Sequence, residues 1–245
     1  MLFSPGYIAI MIVTLAIGGL AQAAIGHTNK KYSRIPLASG MTGAQVALRI
    51  LQANGIAATG GRTGRGAVAI QQVSGSLTDH YDPRTGIVSL SESIYGASTV
   101  AAAAVAAHEV GHAIQDAHGY VFGRLRTAMV PAVNFSSKFS MILIIGGFIL
   151  GIGVSSGQPT IGFYALWAGI FLYSAAVLFQ IVTLPVEINA SRRALVQLRD
   201  LAVLGPDELD GGRRMLTAAA STYVAAALVS LLYLAYYIFL GSRRN

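Results

Sequence analysis

The sequence predicts a mainly α-helical integral membrane protein, with about four transmembrane helices and a smaller membrane-adjacent segment of mixed α and β structure. Of the 245 residues, 54% are hydrophobic and only 11% are charged, and the mean hydropathy is +0.60. Soluble domains average about 25% charged residues, so this composition is typical of a membrane protein. The apolar residues are concentrated in four runs, and the charged residues lie mainly between them.

The first transmembrane helix is predicted over residues 1–26, where an apolar run at 7–25 is long enough to cross a bilayer. Lys30, Lys31 and Arg34 follow this run, and no Lys or Arg precedes it. That order is the reverse of a signal peptide. We therefore expect an uncleaved helix whose N-terminus lies outside the cytoplasm.

Two further apolar runs, at 141–154 and 161–184, are joined by a short uncharged connection. They predict a transmembrane hairpin over residues 137–184. The run at 216–240 predicts a fourth transmembrane helix over residues 215–241, with tyrosines near its end as interface anchors.

The polar segment 27–136 is predicted to form the α+β part of the chain. Thr42 and Gln45 have the spacing of a capping box before an amphipathic helix, and residues 68–73 and 87–90 predict strands. A Gly/Arg-rich stretch at 60–66 predicts a mobile loop.

A second polar segment, at 185–214, is predicted to be an amphipathic helix followed by a polar loop. Counting charges over both polar segments gives the membrane orientation. Ten Lys and Arg lie within residues 27–138 and five within 185–215, so 15 of the 17 fall on one side of a four-span topology.

Because basic loops stay in the cytoplasm, we expect both polar segments on the cytoplasmic face of the bacterial inner membrane. Arg243 and Arg244 then lie outside. The net charge of +7 is attributed to loops at an anionic membrane surface, and no nucleic-acid partner is expected.

The strongest motif is His-Glu-Val-Gly-His at residues 108–112, in a helix predicted to start at Ser98 or Thr99. Residues four apart share a helix face, so His108 and His112 can bind one metal ion. Glu109 lies about 100° round the helix, where it can take a proton from a water on that metal. Zinc lowers the pKa of a bound water to about 7, so the motif predicts hydrolysis with one Zn²⁺ per chain.

A catalytic zinc usually has three protein ligands, and two acids compete for the third place. The chain has no cysteine, which excludes thiolate ligands. Glu187 follows the third span, just after Pro185, where a helix is expected to begin. An even number of spans separates it from His112, so both lie on one side of the membrane. Asp210, within Leu-Asp-Gly-Gly, resembles the aspartate motif of intramembrane site-2 proteases, but its polar neighbours predict a loop.

Four parts of the chain together resemble the YugP-like family of bacterial membrane zinc metallopeptidases, related in motif logic to HtpX-type gluzincins. These parts are residues 42–44 with 54–56, 77–83, 106–115 and 184–195. The resemblance implies a gluzincin-like zinc peptidase domain next to the membrane. It also implies His108, His112 and Glu187 as zinc ligands and Glu109 as the general base.

One departure concerns the residues that orient the ligands. Related gluzincins place an aspartate soon after the ligand glutamate, where it can orient a zinc-bound histidine. Here Asn189 and Ser191 occupy that region. Asp79 and Asp116 are therefore candidates for this orienting role.

His80 and Tyr81 precede a predicted turn close to the second strand. Either side chain could stabilise the oxyanion that forms when water attacks a peptide carbonyl. A purely structural hydrogen bond within the turn is the alternative for both. A strand beside the metal helix would also offer an extended peptide an edge to pair with.

These observations favour a zinc-dependent membrane endopeptidase that acts on peptides or membrane proteins, with a role in membrane-protein quality control. The alternative is a non-catalytic membrane scaffold or chaperone-like subunit that keeps zinc for stability. An intact Glu109 favours the enzyme, since a structural zinc site does not need that base. A transporter is disfavoured because the spans contain almost no ionisable residues. Membrane-protein partners and a homo-oligomer both stay open.

Overall fold

The computed structural model describes residues 5–59, 67–150 and 160–242. The loop expected at 60–66, most of the connection before Thr160, and Arg243 and Arg244 lie outside the described residues. The helices are α1 (Pro5–Tyr32), α2 (Gly43–Ala53), α3 (Glu92–Tyr95), α4 (Val100–Ala117), α5 (Val121–Leu150), α6 (Ile161–Asp200) and α7 (Pro206–Ser242). The strands are β1 (Ala57–Thr59), β2 (Ala67–Val73), β3 (His80–Asp82) and β4 (Ile87–Ser91).

Four of these helices, α1, α5, α6 and α7, are long and apolar enough to cross a membrane. This confirms the predicted fold class of a mainly helical membrane protein with a small sheet. All four extend beyond the spans expected from the apolar runs, because polar residues at the ends continue the same helices. For example, α1 runs on through Lys30 and Lys31 to Tyr32.

The chain divides into two compact units, and the first contains Met1–Leu20, Leu125–Thr183 and Tyr223–Asn245. Its described part is purely helical, and its core consists of Ile144, Leu166, Ile170, Tyr236 and Tyr237. Helices α5 and α6 approach closely here, because a Cβ on Gly147 would lie 2.5 Å from the backbone nitrogen of Leu166. Glycine at this position therefore permits tight packing of the hairpin.

The second unit contains Ala21–Arg124 and Leu184–Thr222, and it includes the sheet. The strand order is β1-β2-β4-β3, with β3 antiparallel to β4 and the other pairs parallel. The sequence patterns predicted β2 and β4, but not β1 and β3, which have only three residues each. β3 forms one edge of the sheet.

Helix α4 is the central helix of the second unit. Thr99 accepts a hydrogen bond from the Ala102 amide at its start, and His118 ends it before Gly119, whose φ is +64°. The left-handed backbone at Gly119 suits glycine, which has no Cβ to clash. The alanines of α4 from Ala101 to Ala113 are almost fully buried, so their small side chains let neighbouring elements approach this helix closely.

The sequence predicted that a helix begins at Pro185, but this residue lies inside α6. Proline in a helix interior removes one backbone hydrogen bond and crowds the preceding turn, which is why it favours a helix start. Here the helix continues through Pro185, and the Tyr120 hydroxyl donates to the Pro185 carbonyl at 3.4 Å. Glu187 is therefore held in a helix interior.

The sequence predicted a loop around Asp210, but this segment forms the first turns of α7. Pro206 occupies the first turn, where its missing amide hydrogen has no intrahelical acceptor, and Asp207 and Glu208 complement the helix dipole. The Glu208 carboxylate also accepts from the Gly205 amide at 2.7 Å. Asp210 pairs with Arg214 one turn later, at 2.7 Å, and both are exposed.

Candidate metal centre

Helices α4 and α6 of the second unit bring two histidines and one carboxylate together. The Glu187 Oε2 atom lies 3.1 Å from the His108 Nε2 atom and 3.5 Å from the His112 Nε2 atom. One ligand atom from each of these residues lies within 4.8 Å of the other two. Within the described ranges, these are the three histidine or carboxylate residues that lie close enough together to hold a metal ion.

The donor set of this group fits zinc. Two imidazole nitrogens and one carboxylate oxygen are the ligands of one common type of catalytic zinc site, which keeps a fourth position open. Glu187 is only 1% exposed, and a carboxylate buried to this extent is costly unless positive charge or hydrogen bonds compensate it. The two histidine rings cross at 84°, with centroids 4.8 Å apart, so both edges can face one ion.

Glu109 lies next to His108 on α4 and is 8% exposed. Burial raises the pKa of its carboxyl to about 7, and the nearby charges of Glu187 and Asp79 add to this effect, while His108 and His80 oppose it. A carboxyl whose pKa lies near neutrality suits a general base that accepts and returns a proton. The added charge of a bound cation would draw this pKa downward.

The two histidines are oriented by neutral side chains rather than by aspartates. Ser191 Oγ lies 3.2 Å from His108 Nδ1, and Gln115 Oε1 lies 3.1 Å from His112 Nδ1. Ser191 stands one helical turn after Glu187 on α6. Gln115 is a partner that the sequence analysis missed.

The two candidate aspartates make other contacts. The Asp79 carboxylate accepts from the backbone amide of Ser91 at 2.7 Å and from its hydroxyl at 3.0 Å. Asp116 accepts from the Tyr81 hydroxyl at 2.9 Å. The structure therefore does not place Asp79 or Asp116 on the zinc-facing histidines. Asp79 instead holds the end of β4, and Asp116 joins α4 to β3.

The two candidates for oxyanion stabilisation differ in how far they are engaged. The Tyr81 hydroxyl donates its hydrogen to Asp116, and burial together with Asp116 raises the pKa of Tyr81. That hydrogen is thus not directed at a substrate. His80 is exposed, with its Nδ1 atom 2.8 Å from the Thr78 carbonyl oxygen. The charge of His80 opposes the rise in the pKa of Glu109. A role of His80 in the oxyanion site stays a prediction.

A helical membrane protein with a His-Glu-x-x-His helix and a facing glutamate has the defining features of a zinc metallopeptidase. The chain belongs to the family described as "Putative neutral zinc metallopeptidase", whose sequence model matches residues 7–242. It is 41% identical over 239 residues to the "Putative membrane protease YugP" of Bacillus subtilis (strain 168), covering 97% of this chain and 98% of that protein. No solved structure matches the chain.

These comparisons confirm the family resemblance and the zinc cofactor predicted from the motifs. Membership of this family also supports the assignment as a membrane protease, since the chain matches both the family and the relative over nearly its full length. The roles of individual residues follow from the geometry and are proposals.

Proposed function

We propose that this protein is a gluzincin-type zinc endopeptidase that hydrolyses peptide bonds at the cytoplasmic surface of the bacterial inner membrane. The observation that carries the proposal is the convergence of His108, His112 and Glu187 beside the buried Glu109. A zinc ion held by the first three residues would supply Lewis acidity for the scissile carbonyl and a more acidic water.

In this proposal Glu109 transfers the proton. Its carboxylate accepts a proton from the attacking water as the new C–O bond forms. It then returns that proton to the amine nitrogen as the C–N bond breaks, so the water is consumed and Glu109 is regenerated. The edge strand β3 would bind the peptide in an extended conformation through backbone hydrogen bonds.

An open strand edge beside the metal helix supports cleavage within a chain, because it does not require a free peptide end. The charge distribution supports the cytoplasmic face, since the segments that contain the site also contain most Lys and Arg residues. The relative is described as a putative membrane protease, which supports proteolysis at a membrane. We propose peptides or membrane proteins as the substrates. A role in membrane-protein quality control is the biological setting that we propose for this activity.

The alternative function is a non-catalytic scaffold that binds zinc for stability. The buried Glu109 argues against it, because an uncompensated buried carboxyl costs stability and a structural zinc site gains nothing from it. The two functions differ in what Glu109 does. The endopeptidase requires Glu109 for hydrolysis, whereas the scaffold does not.

Glu109→Gln tests the proposal directly. We expect the purified variant in detergent to bind close to one zinc per chain but to cleave quenched fluorogenic peptides at least 10²-fold more slowly, since loss of a general base typically costs 10²–10⁴-fold. Glu92→Gln, which removes an exposed carboxylate on α3, is the matched control and should keep wild-type activity. Undiminished hydrolysis by Glu109→Gln would show that Glu109 is not the base.

A further inference from the structure

Gln115 is a buried amide, 3% exposed, whose side chain makes one hydrogen bond within α4 and two to α6. Its Oε1 atom lies 3.1 Å from His112 Nδ1. Its Nε2 atom donates to the Val186 carbonyl at 2.8 Å and to Asn189 Oδ1 at 3.0 Å. One side chain therefore contacts a histidine of the metal centre on α4 and both sides of Glu187 on α6.

The Val186 contact determines which end of the amide faces the histidine. A backbone carbonyl can only accept a hydrogen bond, so the NH₂ group of Gln115 must face Val186. The oxygen end then faces His112, and an amide oxygen can only accept. Neutral His112 must therefore carry its hydrogen on Nδ1, which leaves the lone pair on Nε2.

This tautomer is the one that a metal ligand at Nε2 needs. The lone pair of His112 Nε2 lies 3.5 Å from the Glu187 carboxylate oxygen. Two acceptors at this separation repel each other unless a cation lies between them. The fixed amide thus keeps His112 ready for a metal ion and not for a hydrogen bond to Glu187.

His108 is held differently. Its Nδ1 partner is the Ser191 hydroxyl, which can either donate or accept. In the absence of metal, His108 Nε2 can therefore donate to Glu187, which lies 3.1 Å away. The Ser191 contact permits both tautomers of His108, whereas the Gln115 contact permits one tautomer of His112.

The donor end of Gln115 also fixes the position of Glu187. Val186, 1% exposed, precedes the carboxylate, and Asn189 follows it two residues later. Asn189 Oδ1 additionally accepts from Arg193 Nε at 2.8 Å, which holds the Asn189 amide in the orientation that Gln115 needs. The turn of α6 that contains Glu187 is thereby fastened to α4.

We propose that Gln115 is a positioning residue that sets the tautomer of His112 and fastens the Glu187 turn of α6 to α4. The inference rests on the proposed ligand roles of His112 and Glu187. It assigns to a neutral amide the orienting role that an aspartate has in related gluzincins, and it adds the alignment of the third ligand.

Two variants separate the two roles. Gln115→Met keeps the volume of the side chain but removes every hydrogen bond. Gln115→Glu keeps an acceptor for His112 Nδ1 but cannot donate to Val186 or Asn189 when ionised. Gln197→Met is the matched control, because Gln197 accepts from Asn54 Nδ2 at 3.0 Å and lies almost three helical turns beyond Glu187 on α6.

The first measurement is zinc affinity of the full-length, metal-free protein in detergent, by competition with a chelator. We expect Gln115→Met to bind zinc 10–100-fold more weakly, the usual cost of losing such an orienting partner. Gln115→Glu should lose less, and Gln197→Met should match the wild type. Wild-type affinity in Gln115→Met would overturn the proposal.

The second measurement is ¹⁵N NMR of histidine-labelled, zinc-free protein at about pH 8.5, where imidazoles are neutral. The chain has 5 histidines, so His112→Asn can assign the His112 signals by their disappearance. We expect His112 to be protonated on Nδ1 in the wild type and in Gln115→Glu, and to become a mixture of tautomers in Gln115→Met. An Nε2-protonated His112 in the wild type would overturn the proposal.

A different result would contradict the proposed function rather than the role of Gln115. If His112→Asn binds zinc as tightly as the wild type, His112 is not a ligand and the metal centre itself is wrong. If His112→Asn loses zinc while Gln115→Met keeps it, the metal centre stands and only the role of Gln115 is rejected.

Discussion

Gly111, the fourth residue of the motif, sets how closely α6 can approach the metal-binding face of α4. A Cβ built on Gly111 would lie 2.7 Å from the backbone oxygen of Ala190 and 3.3 Å from its carbonyl carbon. Backbone atoms cannot move aside as a flexible side chain can. Because Ala190 lies between Glu187 and Ser191 on α6, a methyl group at Gly111 would push both of these residues away from the histidines.

We therefore expect Gly111→Ala to lower both zinc affinity and stability. Ala favours a helix by about 1 kcal/mol over Gly, but overpacking of this kind costs about 1–3 kcal/mol, so the contact should outweigh the propensity. Gly26→Ala is the control, since a Cβ there meets nothing within 4 Å. Thermal unfolding in detergent would measure stability, and competition with a chelator would measure zinc affinity. If Gly111→Ala equals Gly26→Ala in both, this account is wrong.

The residues of the site differ in how far the sequence predicts their roles. The four-residue spacing of His108 and His112 is enough to predict that they share a helix face. The pairing of these histidines with Glu187 depends on tertiary structure, so the sequence left Glu187 and Asp210 as alternatives, and the family resemblance favoured Glu187. Gln115 and Ser191 were not predicted as orienting residues, because only carboxylates were considered for that role. Their spacing, three residues after His112 and four after Glu187, is nevertheless a signal that each lies on the same helix face as a ligand.

At the scale of elements, local signals were reliable for capped helices and misleading at Pro185 and Asp210. The capping box at Thr42 and Gln45 is present, because it depends only on neighbouring residues. Pro185 ends or starts a helix in most local contexts, but here α6 continues through it. The short strand β3 was missed because three residues are too few to show an alternating pattern. Its pairing with β4 and the contact of Tyr81 with Asp116 on α4 both depend on tertiary structure.

These element assignments lead to a prediction about the third ligand. Glu187 lies in a helix interior, 1% exposed and within reach of both histidines. Asp210 lies on α7, exposed and paired with Arg214. We expect Glu187→Ala to purify largely without zinc and without activity. Asp210→Ala should keep both, because its exposed ion pair with Arg214 is screened by solvent and contributes little.

Metal analysis of both purified variants, side by side, provides the measurement. Asp210→Ala is itself the matched control, since it removes one carboxylate of the second unit without touching the proposed site. Loss of zinc from Asp210→Ala, with zinc retained by Glu187→Ala, would replace the gluzincin ligand set by one resembling that of site-2 proteases.

For the whole molecule, composition was sufficient to predict a membrane protein. The four apolar runs predicted the four helices that are long and apolar enough to cross a membrane, since hydropathy reports transfer into lipid directly. It was less informative about span ends, because amphipathic helices continue past the lipid boundary. α6 illustrates this, with 40 residues that include both an apolar run and the arginine-bearing end. Neither hydropathy nor the fold assigns a side of the membrane to the metal centre.

The orientation prediction therefore rests on charge, and four spans give it a definite form. Residues 27–138 and 185–215 contain 15 of the 17 Lys and Arg residues, whereas residues 150–160, between α5 and α6, contain none. Because basic segments resist translocation, the side that contains His108 and Glu187 should be cytoplasmic. A phosphatase reporter that is active only outside the cytoplasm should be silent when fused after Gly60 or Gly205 and active when fused after Gly157. A fluorescent protein that matures only in the cytoplasm should show the reverse at the same three positions, which controls for failed expression. Phosphatase activity at Gly205 together with fluorescence at Gly157 would place the metal centre outside, and the substrates would then have to be sought among exported proteins.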